Sequence, residues 1–67
     1  MDKSSYLGMC KLTMLFASVV VDGRSTLNMF DHNRLDDLCR NYELSFDVVM
    51  DTAMEFKVDY RSYDLYL

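Results

Sequence analysis

Proline and tryptophan are missing from this chain, and its 67 residues include only two glycines, Gly8 and Gly23. Proline and glycine set tight turns, so their scarcity works against many short strands and favours a few helices with short connections. Histidine occurs once, at His32. The two cysteines, Cys10 and Cys39, lie outside any C-x-x-C pair and can form at most one internal disulfide. Both fall among apolar neighbours, which points to buried, reduced thiols in a cytoplasmic protein. Basic residues are scarce as well: 7 Lys and Arg stand against 11 Asp and Glu, a net charge of −4. Direct contact with nucleic-acid phosphate needs a basic surface, so that class of function is set aside. A basic protein surface is the natural partner instead.

Long hydrophobic runs are also absent. The longest apolar stretch, "LGMCKLTMLFASVVV" at 7–21, contains Lys11 and is short of the ~20 apolar residues that span a bilayer. Asp2 cancels Lys3, so there is no positive region ahead of it, and Met9 precedes Cys10 where a lipoprotein box needs a small residue. Neither a signal peptide nor a membrane anchor is expected.

Hydrophobic residues make up 51% of the chain, too many for a disordered segment. One small domain, 1–67, is expected. A domain of this size buries only about 60% of the surface its unfolded chain exposes, so a partner or self-association is a natural supplement.

The spacing predicts an all-α fold, a small three-helix bundle with helices at about 4–21, 29–42 and 46–62. Ser4 or Ser5 can cap the first. Its apolar face, from Leu7 through Leu12, Met14, Leu15, Phe16, Val19 and Val20, nearly encircles the helix, as in a helix buried at a fold centre or an interface. The β-branched run Val19–Val21 is also compatible with a strand. Asp22-Gly23 closes the segment, since glycine takes the left-handed backbone past a helix end.

Asn28 can cap the second helix, with Asp31 at its positive end. Leu35, Leu38, Cys39 and Tyr42 then form one apolar face. Ser45 caps the third helix, with Asp47 in the first turn and Leu44 and Val49 as a hydrophobic staple. Phe46, Val49, Met50, Ala53, Phe56, Tyr60, Tyr63 and Leu67 continue a stripe at steps of three or four, the adjacent pair Val49 and Met50 excepted.

The order "FASVVVDG … RLDDLCRNYELSFDVV" resembles the TerB-like (tellurite-resistance B) helical family over about residues 14–50. There an apolar helix ends in Asp-Gly, a second helix follows, and a Leu-Ser turn caps the next. Here Asp22-Gly23 and Leu44-Ser45 fill those places. The resemblance implies an all-helical topology and metal binding near the Asp-Gly turn. "RSTLNMF" replaces the acidic run usual after that turn, so only Asp22 carries over.

His32 and Asp36 are an i, i+4 pair able to supply two metal ligands, whereas a firm site needs three or four. A Ser-His-Asp triad would need His32 beside a nucleophile and an orienting acid in a pocket, which nothing here indicates. "DGRSTLNMF" lacks the alternating acids and closing Glu of an EF-hand. No glycine-rich phosphate loop is present. No catalytic residue, metal or cofactor is expected, and the chain reads as non-catalytic.

The segment "DVVMDTAMEFKVD" places Asp47, Asp51, Glu55 and Asp59 four apart. On a helix these acids form a ridge winding about 40° per step, each like-charge pair costing a few tenths of a kcal/mol. Tyr60, Tyr63 and Tyr66 cluster beside Asp59 and Asp64. Acid with tyrosine suits a surface that covers a basic groove, as a phosphate mimic does. The expected partner-binding residues are therefore Asp47, Asp51, Glu55, Asp59, Tyr60, Tyr63 and Asp64. The expected partner is a larger, basic protein, of the kind that is itself nucleic-acid-binding. Small size, acidity and the lack of catalytic parts fit an inhibitor or adaptor of the kind carried by phages and mobile elements. The TerB-like metal-binding stress module is the alternative. A homodimer is a further possibility, because the first helix is apolar nearly all round.

Overall fold

A computed structural model describes residues 2–64, the side chains of 62–64 excepted. Its elements run α1 (Lys3–Val21), β1 (Thr26–Asn28), α2 (Met29–Tyr42), α3 (Phe46–Phe56) and β2 (Asp59–Asp64). The three expected helices are present. A small sheet joins them, so the fold is mostly helical rather than all-α.

Asp2, not Ser4 or Ser5, caps α1: its Oδ1 accepts the Ser5 N–H at 2.7 Å. That hydrogen bond favours the charged carboxylate and holds the Asp2 pKa below its ordinary value. Val19–Val21 belong to the helix. Beyond them the Gly23 N–H donates to the Val20 carbonyl at 2.9 Å and the Arg24 N–H to the Val19 carbonyl at 3.1 Å. This Schellman closure needs left-handed backbone, and Gly23 supplies it with φ of 75°.

The inner face of α1 provides the centre of the core, with Leu12, Leu15, Phe16 and Val19 all fully buried. Leu27 from β1, Leu35 from α2, Val49 and Ala53 from α3, and Val58 complete it. Phe16 stacks on Phe56 with ring centroids 6.4 Å apart. Gly8 lets the end of α2 come close: a Cβ there would stand 2.6 Å from Tyr42 Cβ. An alanine at that position forces the helices apart, although alanine is the better helix former.

The start of α2 is fixed by a capping box. Asp31 N–H donates to Asn28 Oδ1 at 2.9 Å, and Asn28 N–H donates to Asp31 Oδ2 at 3.2 Å. Asp31 is buried, and the Arg24 guanidinium donates to the same Oδ2 at 2.7 Å. The pair ties the turn after α1 to the start of α2. It satisfies a charge that would be costly to bury alone.

The third helix ends at Phe56 rather than near residue 62. Lys57 turns left-handed (φ 57°), its N–H donating to the Met54 carbonyl at 3.1 Å, and the Val58 N–H donates to Ala53 at 2.9 Å. The closure repeats that of α1, with lysine where α1 has glycine. The chain then extends, and the Asp59 N–H donates to the Ser25 carbonyl at 2.8 Å. β2 pairs parallel to β1, with Thr26 opposite Asp59, Leu27 opposite Tyr63 and Asn28 opposite Asp64. The register slips between Thr26 and Leu27. Parallel strands need a long crossover, and α2 with α3 provides it.

As one helix of 19 residues, α1 exceeds the apolar run read from sequence. By length and composition it is apolar enough to cross a membrane, with 28% of its most apolar stretch buried in the fold.

Candidate functional site

Seven residues were expected to form one acidic docking surface, and the structure divides them between two elements. Asp47, Asp51 and Glu55 lie exposed on α3, turned away from Val49, Thr52 and Ala53, which face the core. Among the described residues no lysine or arginine pairs with any of the three. Their mutual repulsion is therefore offset by solvent and, for Asp47 in the first turn, by the positive end of the helix.

Asp59 is not the fourth member of a helical ridge, because the left-handed turn at Lys57 carries it into β2. It remains exposed, and its Oδ1 accepts the Arg61 N–H at 3.1 Å. Tyr63 and Asp64 stand in β2 opposite Leu27 and Asn28. Tyr66 and Leu67 lie outside the described residues.

Tyr60 is half-buried rather than presented on the surface. Its ring meets Phe46 edge-on, with centroids 6.0 Å apart and planes at 67°. Its hydroxyl is buried without a hydrogen-bond partner among the described residues. It lines two grooves. One, of about 440 Å³, is bounded by His32, Asp36, Cys39, Phe46 and Arg61. The other, of about 490 Å³, runs between α3 and β2 past Met50, Met54, Lys57 and Asp59.

The first groove gathers His32, Asp36 and Cys39. Burial, and then the charge of Asp36, push the Cys39 thiol above its ordinary range. A thiol held protonated is a poor nucleophile and a poor metal ligand. Neither cysteine is in a disulfide, and both are half-buried rather than fully buried. Among the described residues no group of three or more His, Cys, Asp and Glu stands close enough to hold a metal ion. Asp22, the one residue the TerB-like resemblance carried over, caps the end of α1 exposed and lies 3.5 Å from Arg24.

The sequence reading missed the apolar residues that border the acids. Met54 on α3 is 69% exposed and Phe46 61% exposed. Phe46 belonged to the expected core stripe, and its outward position follows from the helix beginning at that residue. Met54 has a usable sequence signal: it sits four residues after Met50, one step off the core stripe. The α3 face thus combines a row of acids with exposed methionine and phenylalanine, an amphipathic composition common in protein interfaces. No family model, no curated protein and no solved structure matches the chain.

Proposed function

We propose that this protein is a non-catalytic binding module, an inhibitor or adaptor acting in the cytoplasm, that docks the acidic face of α3 onto a larger protein with a basic surface. The observation that carries the proposal is the row Asp47, Asp51 and Glu55, exposed and without a cation partner among the described residues. A helix bears such repulsion at a cost of a few tenths of a kcal/mol per pair. A basic partner would turn that cost into attraction and hasten encounter. Met54 beside the row supplies apolar contact, which governs how slowly a complex dissociates. The proposal includes Asp59 on β2, which lines a groove with Met54, and Tyr60, Tyr63 and Asp64 of the same strand.

The test uses the parent chain and the double variant Asp51→Lys, Glu55→Lys as baits in a bacterial lysate, with captured proteins identified by mass spectrometry. The expected result is a basic protein held by the parent, released by moderate salt, and lost from the variant while the variant keeps its helical circular dichroism. Retention of the same protein by the variant, with unchanged salt dependence, would refute the acidic docking face. A stoichiometric heat on titrating divalent metals into the parent would favour the TerB-like alternative.

A further inference from the structure

α1 has two apolar faces, and the fold uses one of them. Leu12, Leu15, Phe16 and Val19 are fully buried on the inner side, beside Gly8. On the opposite side Leu7, Cys10, Met14, Ala17 and Val21 succeed one another at steps of three, four, three and four. That alternation is the a/d rhythm of a helix-pairing seam. Leu7, Met14 and Val21 keep nearly one line, since an α-helix drifts only ~20° over seven residues. They are 47%, 67% and 84% exposed, and Cys10 and Ala17 sit half-buried between them.

We propose that this seam packs against the same seam of a second copy of the chain. A heptad rhythm fits another helix rather than a flat surface, and α2 and α3 already pack against α1 within the fold. The flanking positions, Tyr6, Lys11, Thr13, Ser18 and Val20, lack the opposed charges with which a helix selects a different partner. Thr13 and Ser18 donate their hydroxyls to their own helix, at 2.9 Å to Met9 and 2.7 Å to Leu15.

Lys3, one heptad before Cys10, stands on the line of the seam, and an antiparallel pair keeps it from facing its own copy. Lys11 flanks the seam with Arg34 and Asp37 of α2 alongside, and self-pairing does not set Lys11 against itself. A parallel, in-register pair places it near Tyr6 of the other copy. An antiparallel pair centred on Met14 places it near Ala17 and Ser18. A standard interface takes ~800 Å² from each partner, about one sixth of the 4870 Å² surface of the molecule. The helix is roughly 28 Å long, most of the longest molecular dimension of 38 Å. The groove of about 280 Å³ formed by Lys11, Met14, Arg34, Asp37 and Leu38 continues the seam onto α2.

Sedimentation equilibrium of the full chain tests the proposal, alongside Met14→Glu and Val21→Glu, two substitutions at exposed positions. The parent should sediment as a dimer in the micromolar range. Each variant should associate at least ~10-fold more weakly, because its charge would enter an apolar contact without a partner. Asp51→Lys with Glu55→Lys, on a different helix, should leave the dimer mass unchanged. If a variant loses its helical spectrum, alkylation of Cys10 in the parent, read by peptide mass, decides the matter. The rate should fall as concentration rises, and a concentration-independent rate overturns the proposal. So does a parent that is monomeric throughout, or a dimer that both glutamates leave intact. A monomer that floats with phosphatidylcholine vesicles would assign the seam to lipid and overturn it as well.

Discussion

Tyr60 carries an internal conflict. Its ring packs against Phe46 and the core edge, while its hydroxyl is buried with no partner among the described residues. A buried hydroxyl left unsatisfied costs about 1–3 kcal/mol. Tyr60→Phe keeps the ring and removes the oxygen, so it should raise stability by roughly 1 kcal/mol in a urea melt. A loss of stability would mean that the hydroxyl makes a bond in solution. Asp31 shows the opposite arrangement at the same scale. Its carboxylate is just as enclosed, but Arg24 and the Asn28 amide satisfy it, so charge and burial coexist.

The ends of the helices separate what the residues announce from what only the assembled fold decides. α2 runs from Met29 to Tyr42 as its spacing indicates, because Asn28, Asp31 and the Leu35–Leu38–Cys39–Tyr42 face are local signals. The end of α1 is equally legible in Asp22-Gly23. The end of α3 is not. Phe56, Tyr60 and Tyr63 satisfy a helical step, while Val58, Asp59, Tyr60 and Arg61 alternate as a strand does, so local pattern allows both. The choice falls to contacts distant in sequence, the Ser25 carbonyl and the backbone of β1. A strand as short as Thr26–Asn28 shows no periodicity of its own. The acids followed the same division: three were legible on α3, and Asp59 moved with the misplaced helix end. Lys57 holds left-handed backbone at a cost of roughly 1–2 kcal/mol that glycine avoids, against glycine's own entropy loss of about 0.5–1 kcal/mol. Lys57→Gly should therefore raise the melting temperature by a few degrees. A helix continuing through residue 57 would instead be weakened by the glycine, and the melting temperature would fall.

At the scale of the molecule, the radius of gyration of 11.4 Å is close to the ~11 Å of a compact chain of this length. The extents of 38 × 20 × 18 Å still make it elongated, as a fold this small must be when one helix alone measures ~28 Å. Self-repulsion acts throughout so small a body at a net charge of −4. The two i, i+4 acid pairs on α3 add up to ~1 kcal/mol of it. Moderate salt should screen these terms more than the buried Arg24–Asp31 pair and raise the melting temperature by a few degrees. A fall with added salt would show that attractive surface pairs outweigh the repulsion.

The parallel pairing of β1 with β2 also orders events in time. β1 is synthesised before α2 and α3, and its neighbour in the sheet is made only after both of them. On the ribosome the helices can form as they emerge, since their hydrogen bonds are local, whereas the sheet must wait for β2. Until then Leu27 lacks the strand that lies alongside it, and the nascent protein has three helices around an unfinished core. Residues 59–64 must have left the ribosome before the sheet can close.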